Sequence, residues 1–263
     1  MNISAFGLEG ALSILAALKA GRREVFEILI DDGKRFDQRL DELRLRAKRA
    51  AVNLKYVPSA EIEAYATGNS HGGVIALAGA RQFECIGDLI PPDKPAFVVM
   101  LDGIEDPYNF GFAVRALYTA GADGLVLRKR NWTSASAIVG RSSAGASELM
   151  PIALAESAVE VADFYRERGL AVATAAKAST SVSLFEAELT QPVFIVIGGE
   201  RRGVTRSFQR QADLLLEIPY GRPFGQSLGT VSAVSVLAYE VMRQRRHSGG
   251  GADEKRLRPG ERL

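Results

Sequence analysis

The sequence predicts an α/β protein with a parallel sheet, preceded by a smaller αβ layer. From Ala96 onward, short wholly apolar runs alternate with segments of helical period, the pattern of buried parallel strands joined by crossover helices. Two of those runs, 194–197 and 214–216, empty into glycine-rich loops. Before them Pro91-Pro92-Asp93-Lys94-Pro95 can continue neither a helix nor a sheet and sets the first layer apart.

Taken in order, Leu8, Leu12, Leu15 and Leu18 recur at helical spacing before Gly21, so residues 8–20 are expected as a helix. Residues 25–30 read as a strand, and 36–51 as an amphipathic helix with Phe36, Leu40, Leu43 and Ala47 on one face. A strand is expected at 52–57, a helix from Ala60 capped by Ser59, and a strand at 74–77. These form an N-terminal domain, 1–80, joined by a linker, 81–95, to a second domain over 96–246. There the apolar 97–101 predicts a buried strand, followed by a loop through Asn109, a helix over 111–119 ended by Gly121, and a strand at 124–127. Ser134 or Ser136 starts a short helix, and Ser143-Ala144-Gly145-Ala146 allows close backbone packing. A helix over 158–168 and a strand over 171–174 lead to the two glycine-loop strands. Val231, Val234, Leu237, Ala238 and Val241 give the last helix an apolar stripe, which reads as core or as subunit interface. From His247 the tail is expected to be disordered.

At 263 residues, 47% hydrophobic and 24% charged, the chain has an ordinary globular composition. Its net charge of +2 provides no global field for nucleic acid, so any such surface must be local. Cys85 is the only cysteine, which rules out an internal disulfide and fits a reducing compartment. With two histidines and one cysteine, a transition-metal site is not expected. No apolar run reaches the roughly 20 residues of a membrane span, and Met1-Asn2-Ile3-Ser4 does not open a signal peptide.

Ligands of open parallel sheets bind beyond the carboxyl ends of the strands. The exits Gly198-Gly199-Glu200-Arg201-Arg202-Gly203 and Gly225-Gln226-Ser227-Leu228-Gly229 therefore suggest one small-molecule site built mostly from main chain. The first exit reads equally as a plain strand-to-helix turn, and it matches neither the Walker loop nor the dinucleotide fingerprint. Asn109 and Arg115 place an amide in the loop and a guanidinium within the helix it starts, with a capping Asn and a surface Arg as the plainer alternative. Arg128-Lys129-Arg130 reads as a phosphate grip or as a solvated cluster. His71 precedes Gly72-Gly73 without a second metal ligand nearby, and Ser227 lacks the Gly-x-Ser-x-Gly elbow of a hydrolase. A nucleotide-dependent oxidoreductase would need a glycine-rich first turn that is missing here.

In combination these pieces resemble the SpoU-type (TrmH-like) RNA ribose 2'-O-methyltransferases of the SPOUT superfamily, over nearly the whole chain. The family's first motif matches Asn109, Gly111 and Arg115, the second Gly198, Glu200 and Gly203, and the third is similar to Ile218-Pro219 through Ser227-Leu228. Ser143-Ala144-Gly145-Ala146 resembles another recurrent segment. Gly10-Ala11 and His71-Gly72-Gly73-Val74 are similar to parts of the ribosomal-protein-like RNA-binding domain found in members that modify large-subunit ribosomal RNA. The third motif departs from the family's Ser-Leu-Asn-Val-Ser: Ser227-Leu228 is followed by Gly229-Thr230-Val231-Ser232, so the Asn has no counterpart and Thr230 is the hydroxyl at hand.

The resemblance implies a trefoil-knotted C-terminal domain, an exception to the rule against threaded loops. It implies S-adenosylmethionine held in a bent form, with Gly198, Ile218 and Leu228 touching it through main chain and the loop after Thr174 closing the pocket. It further implies no metal, a homodimer through the C-terminal domain, and a cytoplasmic enzyme acting on structured RNA. Ribosomal RNA is favoured by the N-terminal layer; transfer RNA, or an RNA-holding module without catalysis, is the alternative. Arg115, Asn109, Glu200 and Ser227 form the implied catalytic set. Because a guanidinium scarcely deprotonates in proteins, Arg115 is expected to bind the substrate phosphate and polarise the hydroxyl. Arg22, Arg23, Arg128 and Arg141 are the expected RNA contacts.

Overall fold

A computed structural model of the chain describes residues 6–35, 37–68, 70–128, 135–199 and 203–248. It divides into two compact units, the first comprising 1–83 with 106–115 and 130–150, the second 84–105, 116–129 and 151–263.

The first unit is built on a four-stranded sheet of β1 (Phe6–Glu9), β2 (Val25–Asp31), β3 (Asn53–Val57) and β4 (Val74–Ala78) in the order β1-β4-β2-β3. Strand β4 is antiparallel to both neighbours, and β2 is parallel to β3. Successive residues of β2 face opposite sides of the sheet. Ile28 and Ile30 pack with Leu40 and Leu43 of α2 (Gln38–Arg49), while Leu29 between them packs with Ile62 of α3 (Ser59–Tyr65).

Leu8 does not join the helix whose spacing it shares. Gly10, at φ 84°, turns the chain in a conformation that side-chain-bearing residues avoid, so Leu8 belongs to β1 and α1 (Ala11–Ala20) starts after it. Ser59 is not a cap either: it is the first residue of α3, and its hydroxyl donates to Asp31 Oδ2 at 2.7 Å. Asp37 caps α2 by accepting the Leu40 N–H at 2.9 Å. Phe36, expected on that helix's apolar face, lies outside the described residues.

Helix α4 (Pro107–Thr119) begins in the first unit and ends in the second. Helices α5 (Ser136–Ser142) and α6 (Ala146–Leu149) complete the first unit against β1 and α1.

The second unit is a seven-stranded sheet, parallel throughout. Its strands are β5 (Phe97–Asp102), β6 (Gly124–Arg128), β7 (Ile152–Ala155), β8 (Ala171–Ala175), β9 (Val182–Ser183), β10 (Val193–Gly198) and β11 (Leu214–Glu217). Their order is β7-β6-β5-β10-β8-β11-β9. The chain steps outward from β5 to β7, returns on the other side, and inserts β10 between β5 and β8; the direction of winding reverses beside β10. Strands β1, β7 and β9 have no counterpart among the expected strands.

Helices α7 (Ala158–Arg166) and α8 (Arg206–Gln211) cover one core of this sheet, where Val98, Val126, Val172 and Val196 meet Tyr165 and Phe208. The Tyr165 ring packs against Phe194 at a tilt of 47° with the ring centroids 4.8 Å apart, and burial pushes its phenol well above the ordinary value. Its hydroxyl donates to the Ile86 carbonyl at 2.8 Å, in a short 3-10 turn, Ile86–Leu89. Within the stretch 81–95 expected as a linker, Glu84 to Leu89 is therefore packed structure, with the Glu84 N–H donating to the Ile152 carbonyl at 3.0 Å, while residues 92–95 are exposed and outside any helix or strand. Helix α9 runs Thr230–Ser248, so His247, expected to open a disordered tail, is still helical; 249–263 lie outside the described residues.

Candidate active site

At the carboxyl end of β10 the chain is compressed onto its neighbours. Gly199 donates its N–H to the Asp102 carbonyl at 2.7 Å. A Cβ on Gly199 would overlap the Gly103 carbonyl, and one on Gly198 would overlap the Gly203–Val204 peptide. Only glycine lets β10 end against β5 on one side and against its own returning loop on the other. Gly103, at φ 105°, completes this junction.

The Asp102 carboxylate is fixed in turn by Arg128, whose Nε and Nη2 donate to Oδ1 and Oδ2 at 2.6 and 3.0 Å. That bidentate bond holds the Arg128 guanidinium above its ordinary pKa. These are the last residues of neighbouring parallel strands, in register through Leu101 and Leu127. Aligning the two strand ends in the sequence would have revealed the pair.

A pocket of about 1260 Å³ opens at the carboxyl ends of β8, β10 and β11, beside the reversal in winding where doubly wound sheets bind ligands. Its walls come from Ala175 to Lys177, from Ile197 to Gly199 with Gly203, and from Leu216 through the run 217–230. Glycines, other small residues and apolar side chains such as Ile218 and Leu228 supply much of the lining, beside polar ones such as Arg222 and Gln226. Lys177 and Glu217 form an ion pair across it at 3.8 Å. Such a surface recognises a ligand through backbone N–H and C=O groups and apolar contact.

Of the expected cofactor and catalytic residues, Gly198, Ile218, Ser227 and Leu228 line this pocket together. Thr174 does not. It is fully buried in β8 and its hydroxyl donates to the Val196 carbonyl at 2.8 Å, whereas the three residues after it line the wall. Glu200 lies outside the described residues.

Asn109 is not in a loop: α4 starts at Pro107, and Asn109 sits in its first turn with its N–H donating to Asp106 Oδ1 at 2.8 Å. Asp-Pro at 106–107 is the cap-then-proline signature of a helix start, a signal present in the sequence itself. Arg115 is exposed on the same helix, about 9 Å along the axis and about 120° around it from Asn109.

The expected RNA contacts are largely engaged within the protein. Arg23 donates from Nε and Nη2 to Glu148 at 2.9 and 3.0 Å, with side chains only 6% and 4% exposed. Arg141 pairs with the fully buried Glu9. Arg22 donates to the Leu149 carbonyl at 3.1 Å. Arg23 and Arg141 are structural cations, because a guanidinium out of solvent and bonded to a buried carboxylate cannot turn to a phosphate without stranding that carboxylate. Arg128 is more exposed, but both ends of its fork are on Asp102.

The description "SpoU rRNA Methylase family" fits residues 96–239, more than half of the chain. The chain belongs to the SpoU rRNA methylase family. In front of this SpoU domain, residues 8–84 match "RNA 2'-O ribose methyltransferase substrate binding", so the chain carries both parts of an RNA 2'-O-methyltransferase. It is 27% identical over 241 residues to the 23S rRNA (guanosine-2'-O-)-methyltransferase RlmB of Shewanella oneidensis, covering 90% of this chain and 96% of that one. Among solved structures, an RNA 2'-O ribose methyltransferase superposes with a TM-score of 0.75 at 26% identity, over 93% of this chain and 90% of the other. An AdoMet-bound rRNA methyltransferase from Sinorhizobium meliloti shares the fold, with a TM-score of 0.75 at 22% identity over 92% and 87% of the two chains.

Among the described residues, no three His, Cys, Asp or Glu side chains gather where they could share a metal ion, and no helix is long and apolar enough to cross a membrane.

Proposed function

We propose that this SpoU-family chain transfers a methyl group from S-adenosylmethionine to a ribose 2'-hydroxyl of structured RNA, with ribosomal RNA as the first substrate to test. The observation that carries the reading is the glycine-rich pocket at the strand ends, walled in part by Gly198, Ile218 and Leu228, in a chain whose family methylates RNA. The pocket fits the cofactor chemically: an apolar wall suits an adenine ring, and exposed peptide groups suit its polar edges.

When bound, the cofactor supplies an electrophilic methyl on a sulfonium. The chain's own residues must orient the sugar and manage a proton. Transfer to the ribose oxygen would leave a neutral thioether in the pocket walled by Gly198, Ile218 and Leu228, and the hydroxyl proton would pass to solvent. Holding the partners in near-attack geometry can supply on the order of 7 kcal/mol. Arg115 binds the adjacent phosphate through its planar fork and polarises the hydroxyl. Asn109, Glu200 and Ser227 orient the nucleotide or Arg115, and Thr230 offers a hydroxyl where the family has Asn. The reading includes knotted threading at the strand ends and a homodimer through α9, supported by the exposed Tyr239 on that helix. A cytoplasmic location is part of the same reading, supported by the lone free Cys85.

The test is methyl transfer from labelled S-adenosylmethionine to ribosomal and transfer RNA from cells lacking the gene, with 2'-O-methyl positions mapped. Methylated ribose supports the reading, and the RNA that accepts it names the substrate. Cofactor binding by titration calorimetry without transfer to any RNA would instead favour an RNA-holding module, consistent with Gly229 standing where the family has Asn.

A further inference from the structure

The first unit holds a second pocket, of about 260 Å³, which the transfer reaction does not use. It opens where β1 passes into α1 and is lined in part by Gly10, Lys34, Arg39, Ser70, His71 and Arg141. Two carboxylates share the lining with Lys34, Arg39, His71 and Arg141, and both are engaged. Glu9 accepts the Thr67 N–H and hydroxyl at 2.6 Å each and pairs with Arg141. Asp37 accepts the Leu40 N–H as a helix cap.

Among the described residues, Lys34 and Arg39 have no side-chain hydrogen bond or ion pair. The His71 ring accepts the Gly73 N–H on Nδ1 at 3.1 Å, so the neutral ring carries its proton on Nε2 as a donor. Two cations outside any hydrogen bond or close ion pair, a ring N–H and the Ser70 hydroxyl thus border a cavity whose lining carboxylates are engaged; the nearby Asp31, whose charge Lys34 and His71 both feel, is itself held by the Ser59 hydroxyl and the Gly33 N–H. The volume is below the roughly 300–1,000 Å³ of sites that take whole small molecules, so it suits a single anionic group.

We infer that this pocket seats a phosphate of the substrate RNA backbone, held by Lys34 and Arg39. The inference rests on the reading that RNA is the substrate, and it names where the substrate-binding region of residues 8–84 takes hold. Phosphate contacts set register without reading bases, so the pocket fixes where the RNA lies and leaves the choice of nucleotide to other groups.

The experiment measures binding of the full chain to protein-free ribosomal RNA at several salt concentrations. It compares wild type, the Lys34→Ala/Arg39→Ala pair, and the control pair Lys48→Ala/Arg49→Ala at the far end of α2, which removes the same charge. The first pair is expected to lose about tenfold in affinity and to shrink the log–log salt slope by about 1, with S-adenosylmethionine affinity unchanged and the control pair within about twofold of wild type. Equal losses in both pairs, or no loss in the first, overturn the pocket. A wild-type chain without RNA affinity overturns it together with the functional reading, so the two failures are told apart.

Discussion

Gly111 and Ser142 touch with no room for a methyl group between them: a Cβ on Gly111 would overlap the Ser142 Oγ and stand 2.9 Å from its Cβ. The glycine of the first motif is therefore a packing residue, which lets α4 lie on α5. Gly111→Ala is expected to destabilise the protein by about 1–3 kcal/mol, the usual range for overpacking. Ser142→Gly in the same chain should restore part of the loss in urea unfolding. An alanine variant as stable as wild type would refute this account.

The junction of β5 and β10 makes a second prediction. Gly199→Ala must displace backbone at Gly103, so the pocket wall moves with it. The expected result is at least a tenfold loss of S-adenosylmethionine affinity by calorimetry, with RNA affinity retained. Parallel losses of both would mean general unfolding instead.

The pair Arg23–Glu148 is buried on both sides. Arg23→Met leaves a buried carboxylate unpaired and should cost about 3–5 kcal/mol, whereas adding Glu148→Leu should recover much of it. Denaturant midpoints of the single and double variants decide the matter. A role for Arg23 in RNA contact would show the opposite pattern, normal stability with weakened RNA binding.

Hydrogen bonds from Arg243 at 2.8 and 2.7 Å, with a further one from Gln244, hold the Glu240 carboxyl below its ordinary value of 4.5. A lowered folded-state pKa means that the unfolded chain binds the proton first. The stabilisation is thus complete above about pH 4.5 and lost as pH falls through the lower folded value. Acid unfolding followed by circular dichroism should be less steep in Glu240→Gln below that pH, and identical steepness would dismiss the effect.

Arg115→Lys keeps the charge but loses the planar fork. If Arg115 grips a phosphate with two bonds, kcat should fall by tenfold or more with cofactor affinity unchanged. Full turnover in the lysine variant would exclude bidentate binding.

Much of this was legible in the chain because glycine and apolar runs carry local meaning. The run at 97–101, the exits after 197 and 216, and the stripe on α9 each became the expected element. What failed did so for identifiable reasons. Leu8 falls by coincidence on the helical spacing of α1 although it belongs to β1, and residues 152–155, Ile-Ala-Leu-Ala, carry a single β-branched side chain and so give little strand signal. Asp106-Pro107 suits a turn as well as a helix start, and here it starts α4, which takes Asn109 out of the expected loop. The fates of Arg23 and Arg141 depend on partners 125 and 132 positions away, Glu148 and Glu9, and no local pattern in the sequence encodes them.

The insertion of β10 between β5 and β8 also constrains how the polypeptide is made. When Asp102 has been synthesised, the strand that will cover the edge of β5 is still about 90 residues from being translated. At roughly 5–20 residues per second, that edge waits on the order of 5–20 s. During this interval a wholly apolar strand displays unpaired peptide groups, a template for mispairing with other nascent chains. Synonymous codons that slow elongation between 103 and 193 should therefore lower the yield of soluble protein, and slowing after 198 should not.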